Sequence, residues 1–332
     1  MRARAFSRGG AALVIVVATG AGCVSLPPPG ERTVTQALAD TGNTRLGQAI
    51  APLAAAHPER SGVLSLPDGR DAFAARVLLA RSAERSLDVQ YYIWRDDLTG
   101  VLLLDELRSA AARGVRVRLL LDDNNTAGLD PMLAALDAEP NIEIRLFNPF
   151  STRAWRSLGF VFDFSRLNRR MHNKSFTADN QATIVGGRNI GDEYFGAAGD
   201  VLFVDLDVLA VGPVVPETSR DFDRYWNSAS AYPVADLVDA RDAEPGGALA
   251  GRAAQLRGQA EAQRYIEAIR SSAFVAQINA GQAPREWNTV RLVSDDPAKA
   301  AGTARPEDRL AVKLRRLWGR PAHQLDLVSP YF

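Results

Sequence analysis

The chain has 332 residues, 46% hydrophobic and 23% charged, which is long enough for about two domains and apolar enough for a sizeable core, so it is not a disordered chain. Its 39 basic residues balance its 39 acidic ones, which counts against nucleic acid as the main partner. One cysteine excludes an internal disulfide framework and a cysteine-rich zinc site, and three scattered histidines, His57, His172 and His323, are too few for a histidine metal cluster, so no metal or cofactor is expected.

Arg2, Arg4 and Arg8 precede an apolar run, Ala11 to Ala18, then small residues and Cys23, which is the layout of a secretory signal peptide over residues 1–22. The run is shorter than the roughly 20 helical residues that span a bilayer. Small residues leading into Cys23 resemble the processing site of bacterial lipoproteins, with Gly20 standing where leucine is usual. That resemblance implies lipidation of Cys23 and a body anchored at a membrane surface of the cell envelope, facing the periplasm. Residues 23–70, opening with VSLPPPG, read as a Pro/Ala-rich tether and amino-terminal segment.

Helix then strand is the pattern that follows. Asp71 to Arg85 reads as a helix and Leu87 to Trp94 as a strand; Tyr91, Tyr92 and Trp94 at its end suit either lipid contact or core packing. Thr99 to Arg113 is a second helix stopped by Gly114, with a strand over Val115 to Leu121. Asp130 is placed as the cap of a third helix with Pro131 in its first turn, before a strand over Ile142 to Phe147. Met171 to Ala178, Thr183 to Val185 and Leu202 to Val211 read as strands, and Pro216 to Trp226 as a helix. The expected class is α/β, a mixed, largely parallel sheet covered by helices on both faces, with residues 71–229 as the first domain. Residues 230–309 read as a connector with one long helix near Ala248 to Ser271. In residues 310–332 a basic helix, Leu310 to Arg320, leads into QLDLVSPYF, which aligns with LDVQYYIW and reads as the start of a second copy of the fold, cut short.

The chemistry is concentrated in MHNKSFTADNQATIVGGRN, where His172, Lys174 and Asp179 form H-x-K-x4-D. Only three of the 39 basic residues are lysine (Lys174, Lys299 and Lys313), so a lysine here suggests a need for a compact ammonium in place of a planar fork. With three histidines and three lysines, an accidental H-x-K is expected roughly 0.03 times per chain, so the motif carries information. On a strand His172 and Lys174 share a face, with Met171 and Asn173 pointing away, which sets a nucleophile beside a phosphate-holding cation. Gly186 and Gly187 allow a tight turn with close backbone approach, so that main-chain N–H groups and the Asn189 amide can meet phosphoryl oxygens. Asp122 to Thr126 follows its strand at the end where open α/β sheets place ligands.

The string resembles the HKD motif of the phospholipase D superfamily, and SLDVQYYIW, RGVRVRLLLDDNNTAGLD, RLFNPF, GGRNIGDEYFG, DLDVLAVGPVV and SDDPAK extend the likeness to the bacterial cardiolipin synthase C branch over about residues 71–332. The resemblance implies a phosphatidyltransferase that passes through a phosphohistidine, with two similar halves each giving one motif to a shared site. Here one motif is present, and neither His57 nor His323 has a lysine two residues on. The expected partners are phospholipids (phosphatidylglycerol, and phosphatidylethanolamine as a second candidate), a membrane surface, and a second HKD half from a longer form of the chain or another copy, with no nucleic acid. Alternatives are a homodimeric phosphodiesterase or nuclease of the same fold, and a non-catalytic half that binds phospholipid. Lys174 and Asn189 would stabilise charge on the nonbridging oxygens, Asp179 would hold the turn, and Asp205 or Asp207 would orient the His172 ring, a choice the sequence leaves open.

Overall fold

The computed structural model describes residues 26–27, 32–153, 156, 163–197 and 202–324; Cys23, the run before it and Leu325 to Phe332 lie outside them. One sheet organises the described chain. Its strands are β1 (Ser61–Leu66), β2 (Ser86–Tyr91), β3 (Arg116–Asp122), β4 (Ile142–Phe147), β5 (Ser175–Ala178), β6 (Ala182–Gly186), β7 (Asp207–Val211), β8 (Ala231–Pro233) and β9 (Glu286–Asn288), in the order β8-β4-β3-β2-β5-β6-β7-β1-β9.

The class is mixed α/β, but the sheet is mostly antiparallel where a largely parallel one was expected. Of eight strand pairings among the described residues only two, β2–β3 and β3–β4, are parallel. The reason is connection length. Helices Leu98–Ala112 and Asp130–Asp137 give β2, β3 and β4 the long crossovers that parallel pairing needs, whereas β5 and β6 are joined by only Asp179 to Gln181 and must fold back. Asp179 and Asn180 take φ of 51° and 50°, the left-handed region that Asp and Asn tolerate better than other side chains.

Alternation along the strands assigns the two faces. Val117, Leu119 and Leu121 of β3 join one core with Leu87, Val89, Phe176 and Phe73, under helices Gly69–Ser82 and Leu98–Ala112. Leu120 points the other way, to Phe147, Phe222, Tyr225 and Trp226 of helix Val214–Trp226. Burying Phe222 contributes roughly 1.5–3 kcal/mol. The same helix is tied to the sheet by buried Arg118, which reaches Asp88 at 2.7 Å and Asp223 at 2.8 Å. Helix starts follow the acid caps: Asp68 accepts the N–H groups of Arg70 and Asp71, and Asp97 that of Gly100. Asp130 is no cap. It is the first helical residue, without a side-chain bond to its own helix, and it receives Arg153 and Arg156 instead.

Two expected boundaries move. A domain edge at residue 71 cuts the sheet, because β1 pairs with β7 and β9, and a tether running to residue 70 is replaced by structure from residue 32 onward. There Arg145 donates to the Thr33 carbonyl, Arg118 to the Thr35 carbonyl, Trp226 to the Thr35 hydroxyl and Arg116 to the Gln36 carbonyl, so residues 32–38 form a strap across the sheet. Its unpaired carbonyls meet buried arginines that need acceptors, a pairing with no local sequence signal. The connector contributes β9 to the sheet edge, and its long helix breaks at Gln259, after Gly258, into Ala248–Gly258 and Ala260–Arg270, followed by Ala273–Asn279.

Candidate active site

Of the strand expected over Met171 to Ala178, only Ser175–Ala178 forms, and Met171 to Lys174 is a segment suspended between two anchors. At one end the Met171 N–H donates to Asp122 at 2.8 Å, and the Met171 sulfur accepts from Gln90. At the other, β5 begins with Ser175. Asp122 is fully buried, and burial pushes its carboxyl up to about 7 against the opposing pull of Arg170 and of the Met171 and Asn124 N–H groups. The residues between the anchors line a cavity of about 370 Å³ walled by Gln90, Gly186, Thr218, Tyr225, Ser294 and Asp295. His172, Asn173 and Lys174 all line it, so the alternation expected of a strand does not hold at Asn173, whose amide donates to Asp221.

His172 stacks on Tyr92, with centroids 3.9 Å apart and planes inclined by 23°. Its imidazole is driven down to about 4, first by burial of its charge among the surrounding atoms and then by Lys174 and Lys299, with Asp295 opposing. The ring is therefore neutral across the physiological range. The Lys174 ammonium donates to the His172 carbonyl at 2.7 Å and lies 5.7 Å from the Tyr92 ring centroid. Burial lowers it to about 8, while Asp205, Asp207 and Asp122 favour its charge. A neutral imidazole beside an ammonium can attack an electrophilic phosphorus whose anionic oxygens the ammonium holds.

Other expected residues are placed differently. The Asp179 carboxylate, fully buried, accepts the N–H groups of Glu84, Arg85 and Ser86 at 3.0, 2.7 and 2.9 Å, and its own N–H donates to the Ser86 carbonyl, which pins the entry of β2 to the hairpin turn. Asn189 is absent from the cavity lining: its oxygen accepts from Ile93 at 3.0 Å and its nitrogen donates to the Tyr194 hydroxyl. Gly186 and Gly187 make room for acids in place of phosphate. A Cβ on Gly187 would fall within the Asp205 carboxylate and one on Gly186 within Asp207, and the Gly187 N–H donates to the Leu206 carbonyl.

The two carboxylates offered for the His172 ring have partners elsewhere. Asp205 is the leading anionic influence on Lys174, and Asp207 is buried against Arg76 at 2.9 Å and receives the Arg188 N–H. Asp295 acts on His172: it shares its cavity, accepts the Leu310 N–H at 2.6 Å and pairs with Lys299, while its carbonyl takes the Tyr225 hydroxyl. Asp295 is the residue that spacing missed, while the choice left open among three aromatics falls on Tyr92. Tyr91 and Trp94 are core residues, packed edge to face at 5.6 Å, which leaves Tyr92 alone of the three aromatics on the site. Among the described residues no three His, Cys, Asp or Glu side chains gather as metal ligands, and no helix is long and apolar enough to cross a membrane.

Residues 78–226, which include Tyr92, His172, Lys174 and Asp205, match the family described as cardiolipin synthase, phospholipase D-like domain. The chain is 51% identical over 291 residues to cardiolipin synthase C of Escherichia coli, covering 87% of this chain and 61% of that protein. It is 40% identical over 200 residues to an uncharacterized protein of Helicobacter pylori, covering 60% of this chain and 40% of the other. The major cardiolipin synthase of Bacillus subtilis is 30% identical over 175 residues, 52% of this chain and 35% of that one. The chain thus spans less than two thirds of the length of these relatives.

Proposed function

We propose, for a chain whose residues 78–226 belong to the phospholipase D-like cardiolipin synthase family, a phosphatidyltransferase of the cardiolipin synthase type. The observation that carries the reading is the neutral His172 ring held beside the Lys174 ammonium in one cavity. In the proposed reaction an imidazole nitrogen of His172 attacks the phosphorus of a phospholipid such as phosphatidylglycerol. A P–N bond forms, the P–O bond to the leaving alcohol breaks, and that oxygen takes a proton from a general acid. The acid's conjugate base then removes the proton from the hydroxyl of a second phospholipid, whose oxygen displaces His172 and restores it. Lys174 holds the nonbridging oxygens through both steps.

The general acid is assigned to the histidine of a second HKD half, from a longer form of this chain or from another copy. Residues 310–332 are read as the opening of that kind of second unit. Within the first unit Asp179 has a structural role, Asp205 sustains the charge on Lys174, and Gly186 and Gly187 admit Asp207 and Asp205. Cys23 is proposed as a lipid anchor on the periplasmic side of the envelope; unchanged palmitate labelling in Cys23→Ser would refute it.

The deciding experiment incubates the protein with labelled phosphatidylglycerol, with and without phosphatidylethanolamine. Formation of cardiolipin that disappears in His172→Ala is expected. Phosphatidic acid without cardiolipin would move the chain to the hydrolases of the same fold.

A further inference from the structure

Large exposed apolar side chains are few among the described residues, nine in all, and four of them fall within five consecutive positions: Leu202, Phe203, Val204 and Leu206, which are 61%, 48%, 94% and 53% exposed. Single exposed leucines are ordinary; a run of this kind is not. The loop is not loose. The Phe203 N–H donates to the Glu193 carbonyl at 2.8 Å, the Phe203 ring stands edge-on to Tyr194 at 5.1 Å, and the Leu206 carbonyl accepts the Gly187 N–H. The residue between Val204 and Leu206 is Asp205, whose carboxylate turns back over Gly187 and acts on Lys174. The apolar tip and the candidate site are therefore two sides of one short segment.

One cation without an ion pair among the described residues, Arg70, stands at the edge of the loop. Leu202 and Arg70 come together over Gly196, where an added Cβ would touch both, at 3.9 and 4.0 Å. Arg70 is exposed and has no ion pair among the described residues. Arg95, half exposed, pairs with Glu193, the residue whose carbonyl holds Phe203. Apolar side chains at a tip, with Arg70 exposed behind them, match the layering of an anionic phospholipid surface, acyl chains below and phosphates above.

We propose that the Leu202–Leu206 loop inserts into the surface of a phospholipid bilayer and brings the headgroup layer to the Lys174 side of the site. The inference rests on the reading of the chain as an enzyme of phospholipids, and it adds the place where the body meets the membrane. Insertion delivers a diester phosphate beside Lys174 without lifting the lipid out of the bilayer, so the loop acts on access to substrate and not on the chemical step.

The test uses the full chain carrying Cys23→Ser, which removes the proposed anchor and the native thiol, with a polarity-sensitive fluorophore on Val204→Cys or, as control, on Val34→Cys, a 73% exposed strap position. On vesicles of phosphatidylglycerol and phosphatidylethanolamine the label at 204 is expected to shift to the blue, and the label at 34 is not. No shift at 204, or equal shifts at both positions, would overturn the proposal. A shift at 204 without lipid, growing with protein concentration, would assign the loop to a second copy and likewise overturn it. Val204→Asp is expected to lower cardiolipin formation on vesicles at least tenfold while leaving it unchanged on short-chain phospholipids dispersed as monomers. Equal losses on both substrates would remove the membrane role. Absence of cardiolipin from the unsubstituted chain on both substrates would count against the proposed activity alone, because the fluorescence result needs no turnover.

Discussion

Tyr92 and His172 lie face to face, 3.9 Å between ring centroids, just beyond the point where β2 ends at Tyr91. The contact covers one face of the imidazole, so the phenol ring orients the proposed nucleophile and shields that face from water. In Tyr92→Ala that cover is lost. The His172 titration, followed by NMR and assigned by its absence in His172→Ala, is expected to move up from about 4 toward the ordinary histidine value, and turnover to fall about tenfold. An unmoved titration would show that the stack does not govern the ring.

His172→Ala is expected to abolish turnover while changing thermal unfolding little, since the side chain is exposed at its edge and stands outside the sheet ladder. Residual cardiolipin formation above about a thousandth of the starting rate would exclude His172 as the nucleophile.

Lys174→Arg is expected to lower kcat at least a hundredfold although the charge is kept. The guanidinium is a planar fork, and the ammonium it replaces sits between the His172 carbonyl and the Tyr92 ring in a cavity of about 370 Å³. Near-normal activity in this variant would mean that charge alone suffices there.

The dependence on pH follows from the two shifted groups. His172 titrates below its ordinary value, so the neutral ring is gained as pH rises through about 4; Lys174 also titrates below its ordinary value, so the cation is lost as pH rises through about 8. The proposed activity should therefore rise through the first value and decline through the second. Asp205→Asn removes the leading anion that supports Lys174, so the alkaline limb should move to lower pH with the acid limb unchanged. Movement of the acid limb instead would return Asp205 to the role of orienting His172.

Asp179→Ala should be among the most destabilising single changes in the domain. The buried carboxylate accepts three consecutive backbone N–H groups, and leaving those donors unpaired is expected to cost roughly 3–5 kcal/mol in urea unfolding. Asp179→Asn keeps one acceptor oxygen and tolerance of the left-handed turn, so it should lose less. Equal losses in the two variants would point to the turn conformation and away from the hydrogen bonds.

Much of this was legible from local pattern. Helices at Leu98–Ala112 and Val214–Trp226 and the strand Ile142–Phe147 follow from the period of their apolar residues, a signal that lies within a few residues of itself. The pairing of His172 with Lys174 was legible because rare residue types at fixed spacing carry information. Strand direction was not, since it depends on whether a link such as Asp179–Gln181 is a turn or part of a crossover. The choice between Asp205 and Asp207 was illegible for a related reason. Neighbouring strand positions show which acids share a face, but not that Arg76, arriving from another helix, has already taken Asp207. Asp295 reaches the cavity from far along the chain, and no periodicity announces such a contact.

The strap also sets a leash. With residues 32–38 hydrogen-bonded across Arg116, Arg118 and Arg145, an acyl group at Cys23, as proposed, would stand only nine residues before Arg32, which no chain conformation can stretch beyond about 30 Å. A chain free to residue 70 would have reached several times farther. If Cys23 carries the proposed anchor, a leash of that length would keep the body turning over a small disc of membrane close beneath it, so that encounters with lipid headgroups would become a search across two dimensions by a tethered domain, with orientation left to the proposed contact of the Leu202–Leu206 loop.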